Sequence, residues 1–148
     1  MTPLAKAQAI LDELVARALA ESPERELPTL RYAQIGTPVV ACESLIVAVT
    51  AMTPDNGLEA EDSTFCDSMQ VGTFTIVYAH DCSWVANDDG SDDPVKVAEA
   101  SAQMDDAGSF LWAYANEFVP FLSKQWSVAW ALTGGLGLTT MTLTTGID

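Results

Sequence analysis

Residues 125–147 read QWSVAWALTGGLGLTTMTLTTGI, a stretch without a single charged side chain. As one helix it would be long enough to cross a bilayer; as two strands it would make the chain a sheet-containing domain. Composition separates the two. The stretch holds six threonines and four glycines, with Gly134 and Gly135 adjacent at its middle. Threonine and the aromatic residues suit a pleated surface, and a glycine pair between two such runs marks a tight hairpin turn. The reading is therefore a hairpin of residues 125–133 and 136–145, and no membrane span is expected.

N-terminal to the hairpin, residues 87–95 read NDDGSDDPV. Four aspartates in six positions invite a calcium-loop reading. With Gly90 at the sixth position of an EF-hand loop, the first and twelfth places would need an acidic residue and a glutamate, but they hold Val85 and Lys96. A helix start fits instead. Asp89-Gly90 makes a turn, Asp93 caps, and Pro94 takes the first helical position, with the carboxylates favoured by the positive end of the helix dipole. Beyond it, Val97, Met104, Leu111 and Phe118 recur at seven-residue intervals, with Ala100, Ala107, Tyr114 and Ala115 in the same stripe. Pro120 ends this long central helix.

Thr2-Pro3 is a second cap and first-turn proline, and the apolar positions Leu4, Ala7, Leu11, Leu14, Val15 and Ala18 predict an amphipathic helix over residues 3–20. Residues 21–38 contain Pro23, Pro28, Gly36 and Pro38 and read as an extended connector, with a short strand at 30–35. Residues 39–52 (VVACESLIVAVTAM) predict a buried strand. Residues 54–68 form a polar, acidic loop with an Asn-Gly turn. Residues 69–82 alternate, with Phe74, Ile76 and Tyr78 on one face and Thr73, Thr75 and Val77 on the other, which predicts a half-buried strand. The order gives a single α+β domain over residues 1–148: a largely antiparallel sheet, with an N-terminal helix and a long central helix packed on one face.

Charge narrows the function. The chain carries −15 at pH 7, and from residue 32 onward only Lys96 and Lys124 oppose sixteen carboxylates. No cationic cluster exists to displace counterions from nucleic acid, so gripping DNA or an anionic membrane is not expected. Three cysteines, Cys42, Cys66 and Cys82, are widely spaced with no CxxC pair, which reads as reduced, mostly buried thiols. Asp12 and Glu13 interrupt the N-terminal apolar run, so no secretory signal is expected.

Overt chemistry is sparse. His80, Asp81 and Cys82 place a thiol beside the chain's sole histidine, yet neighbours along a strand point to opposite faces and residues two apart are distant for proton transfer. Cys42, Cys66, His80 and Cys82 supply four potential zinc ligands without a knuckle spacing. Gly134, Gly135 and Gly137 lack the following helix that a phosphate cradle needs. No catalytic residue, cofactor or metal is assigned. Trp126 and Trp130 share one strand face; they are either core aromatics or part of a subunit interface, where tryptophan is enriched.

The helix, then CESLIV and GTFTIVYAHDC, then NDDGSDDPV opening a helix that runs through FLWAYA, and finally GGLGLTTMTLTTGI resemble, in order and length, the tail terminator proteins of long-tailed phages infecting actinobacteria. The similarity spans nearly the whole chain; residues 54–68 match nothing in that pattern. The resemblance implies a non-enzymatic virion protein, assembled in the host cytoplasm. It would form a homohexameric ring that caps the tail tube, ends its growth and docks the tail to the head connector or stopper protein. DNA would pass through the ring without specific binding, and no membrane is involved. On that reading the acidic loops, with Glu59, Glu61, Asp62, Asp88, Asp89 and Asp92, are candidates for the channel or its rim, and Trp126 and Trp130 for the subunit interface. Other head-tail connector or minor tail components, an acidic nucleic-acid mimic, and a cysteine enzyme using Cys82 are the competing readings.

Overall fold

A computed structural model describes residues 1–21, 27–54, 70–80, 93–118, 126–133 and 136–147. In chain order they form α1 (Pro3–Glu21), β1 (Leu30–Ile35), β2 (Ser44–Pro54), β3 (Gln70–Ala79), α2 (Pro94–Phe118), β4 (Trp126–Thr133) and β5 (Leu136–Gly146). The strands make one sheet in the order β1-β2-β3-β5-β4, with β1 parallel to β2 and every other pair antiparallel. This is the α+β arrangement expected.

Both helices begin as their capping residues dictate. The Thr2 hydroxyl accepts from the Ala5 amide at 3.1 Å, and the Asp93 carboxylate accepts from the Val95 amide at 3.0 Å. Each bond satisfies one of the amides that a helix start otherwise leaves without a partner. α1 packs on β1 and β2, and α2 on β4 and β5. Both sit on the sheet face that carries Leu45, Val47, Val49, Phe74, Ile76, Tyr78, Met141 and Leu143, and these side chains form one core with Ile10, Leu14, Leu111 and Tyr114 of the helices. Fully burying one such aliphatic side chain contributes about 1.5–3 kcal/mol, so this layer is the main source of stability. Arg17 links the two helices at their outer side: its guanidinium donates to Glu117 and lies over the Tyr114 ring, 5.9 Å from the centroid.

Where the sequence predicts a strand from residue 39, β2 starts at Ser44. A parallel β1–β2 pair obliges the chain to travel back the length of β1, and residues 36–43 make that return. Gly36 turns it with a φ of 94°, a value that side chains rarely tolerate, and Glu43 closes it at 51°. The link is tied to β1 on the face opposite the helices. The Tyr32 hydroxyl donates to the Val39 carbonyl, and the Gln34 side chain donates to the Thr37 carbonyl at 2.8 Å while accepting from the Val39 amide at 3.0 Å.

The expectation of reduced, buried thiols is corrected at Cys42, which is exposed and disulfide-bonded. Wide spacing in sequence does not prevent two cysteines from meeting once the sheet is folded. Cys66 and Cys82 lie outside the described residues. Among the described residues, no helix is long and apolar enough to cross a membrane.

Candidate functional site

The two tryptophans on β4 have different surroundings. Register pairs Trp126 with Leu143, Val128 with Met141 and Trp130 with Thr139, so all three side chains project toward α2. Trp126 is half-buried against the core and meets Trp112 edge-on, with centroids 5.9 Å apart and planes at 69°. Its indole nitrogen is buried without a hydrogen-bond partner. Trp130 leaves 53% of its surface exposed.

Trp130 is nevertheless held in place. Its Nε1–H donates to the Met104 carbonyl at 2.8 Å, and its six-membered ring lies on α2 at Gly108, where a Cβ would come within 2.7 Å of Cζ2. A side chain pinned at its polar end and seated on a bare stretch of helix is a rigid aromatic shelf, which loses little entropy when something packs on it. Beside it, Ser101, Met104, Asp105, Ala131 and Leu132 complete a groove of about 320 Å³ between α2 and the outer side of β4. No strand pairs with that outer side among the described residues.

Among the described residues, the edge also lacks the usual guards. Long solvent-facing edges are normally protected by charge, proline, a bulge or shortness. β4 is eight residues long, reads WSVAWALT, and contains neither a charged residue nor a proline. The register irregularity in this sheet falls elsewhere, between Val49 and Ala51.

His80 sits behind this groove in a structural setting. It is buried, its ring stacks at a tilt on Tyr78 at 4.8 Å, its amide donates to Gly137 at 3.0 Å and its carbonyl accepts from Glu43 at 3.2 Å. Nε2 stands 3.5 Å from the Thr139 hydroxyl, which itself donates to the same Met104 carbonyl at 3.3 Å. Burial lowers its pKa below the ordinary histidine value, against a smaller upward pull from Asp106, so the ring is neutral at neutral pH. His80 thus helps to fix β5 rather than facing an open cleft. Among the described residues, no group of three or more His, Cys, Asp or Glu side chains could hold a metal.

The remaining sequence candidates, Glu59, Glu61, Asp62, Asp88, Asp89, Asp92 and Cys82, lie outside the described residues. Of the two candidate interface residues, Trp130 is open to a partner, whereas Trp126 belongs largely to the core. Gly108, which makes the shelf, was missed in sequence. Its available signal was a glycine in the middle of a long helix, where it costs about 1 kcal/mol relative to alanine unless something packs on it. No protein-family model, curated protein or solved structure matches the chain.

Proposed function

We propose that this chain is a structural subunit of a phage virion: a tail-terminator-like protein whose copies form a ring, a hexamer by analogy, that caps the tail tube and joins it to the head connector. The observation that carries the assembly part is the β4 edge. An uncharged edge strand beside an exposed and immobilised Trp130 is a surface suited to being covered by protein, and it offers apolar contact in a chain whose net charge of −15 opposes association through like-charged surfaces. The terminator assignment rests on the order and length of the sequence elements. An acidic ring suits DNA passage because carboxylates near the channel repel phosphate rather than bind it. A disulfide at Cys42 accords with a particle that operates outside a reducing cell interior.

The test is electron microscopy of particles made without this protein. Tails longer than those of the parent phage support a terminator, because nothing stops tube growth. Tails of parental length detached from full heads would assign the chain to the neighbouring stopper instead.

A further inference from the structure

Among the described residues, five of the eleven exposed large apolar side chains lie at the two ends of the sheet. At one end are Trp130 and Leu132 of β4, 53% and 38% exposed. At the other are Leu19 of α1 with Leu30 and Ile35 of β1, at 48%, 46% and 68%. Each end repeats the same construction, an outermost strand with no strand beyond it among the described residues and a groove between that strand and its helix. The β1 groove, about 540 Å³, is lined by Leu11, Val15, Leu19 and Arg31 among others.

The two ends are complementary rather than alike. β1 and β2 run the same way and each further neighbour reverses, so β1 and β4 point in opposite directions across the sheet. Rotating a second copy about an axis along the strands therefore brings its β1 antiparallel to the first copy's β4, the geometry in which two edges make a regular ladder. Leu30 pairs with Ser44 and faces away from the helices, but Ile35 pairs with Val49, and Trp130 and Leu132 lie on the same side of β4 as Val128, so these three project to the helix-bearing face. They would meet on one side of the junction. Charge permits the contact without driving it: the β1 groove contributes both Arg31 and Asp12 and the β4 groove Asp105, while neither strand contains a carboxylate.

Resting on the assembly reading above, we infer that a second copy of this chain occupies the β4 edge, and that it does so with its own β1 edge. Two different surfaces meeting head to tail form a heterologous interface, which closes into a ring when the rotation permits, whereas one surface meeting itself would stop at a dimer.

Ile35→Glu and Leu132→Glu test this in the full chain. Both sites are exposed, so each variant should keep the far-ultraviolet dichroism and melting temperature of the parent, and each disables one edge. Analysed by mass photometry, the parent should assemble and each variant alone should be monomeric. Their equimolar mixture should give a species of twice the monomer mass and nothing larger, since one intact β4 edge finds one intact β1 edge. Assembly of the Ile35→Glu variant alone, or failure of the mixture to pair, overturns the head-to-tail contact. If the parent forms rings and both variants do so too, these edges are wrong while the ring reading stands. A parent that stays monomeric even with tail-tube subunits overturns both.

Discussion

The indole of Trp130 lies on the backbone of α2 at Gly108, close enough that a single added methyl would stand 2.7 Å from Cζ2 and 2.9 Å from Nε1. Glycine here is a seat for a side chain from another element. Gly108→Ala sets a helix-propensity gain of about 1 kcal/mol against displacement of the indole, loss of its bond to Met104 worth about 1 kcal/mol, and crowding of about 1–3 kcal/mol. The displacement outweighs the gain. Urea unfolding should show a net loss of about 1–3 kcal/mol, and the tryptophan emission should shift to the red. Unchanged emission would mean that the shelf is not held by this contact.

A second expectation concerns pH. His80 has a folded-state pKa lowered by burial below the ordinary value of 6.5, so the unfolded chain binds the proton more readily. Stability from this group is complete above the unfolded pKa and falls as pH drops from about 6.5 toward the lowered folded value. His80 is the chain's sole histidine. Comparing urea midpoints between about pH 7.5 and 5.5 should show a decline that His80→Gln largely abolishes, since carboxylates titrate mainly below that window. An equal decline in the variant would place the effect elsewhere.

Local chemistry was legible where neighbouring residues alone settle the outcome. Thr2-Pro3 and Asp93-Pro94 fix helix starts through bonds that span only a few residues, and both bonds are present. The alternation of Phe74, Ile76 and Tyr78 against Thr73, Thr75 and Val77 fixes the faces of β3, but the strand is not half-buried throughout, since Val77 and Ala79 on the second face are buried as well; the uncharged C-terminal stretch forms β4 and β5. What the sequence did not disclose depends on who the neighbours are. Trp126 and Trp130 are four residues apart on one strand face and look equivalent. They differ because α2 presents Trp112 to one and bare backbone to the other. Likewise residues 39–43 are as β-branched and apolar as a strand, but the parallel pairing of β1 with β2 requires them as a return link. Phe110 is buried although it lies outside the seven-residue stripe, because α2 packs across two strands and buries a wider face than one repeat describes.

The cystine at Cys42 can be counted directly. With three cysteines in the chain and one disulfide, thiol titration of the denatured protein without reductant should find one free thiol per chain, and three after reduction. Cys42→Ser should lower stability by about 2–4 kcal/mol, chiefly by relaxing a constraint on the unfolded chain. Three free thiols before reduction would show the bond to be absent in solution.

Self-association should strengthen as salt is added. Each copy brings a net −15 to the contact, and the resulting repulsion reaches about 30 Å at 0.01 M salt but only about 8 Å at 0.15 M. Working in the opposite sense, an Arg31–Asp105 attraction across the junction is a single exposed pair worth about 0–1 kcal/mol, and salt weakens it as well. Repulsion summed over many carboxylates exceeds one such pair, while the apolar contact of Ile35 with Trp130 and Leu132 is nearly indifferent to moderate salt. Sedimentation velocity at fixed protein concentration should therefore show a rising assembled fraction between low and physiological ionic strength. Dissociation over the same range would mean that ion pairs, not buried apolar edges, hold the copies together.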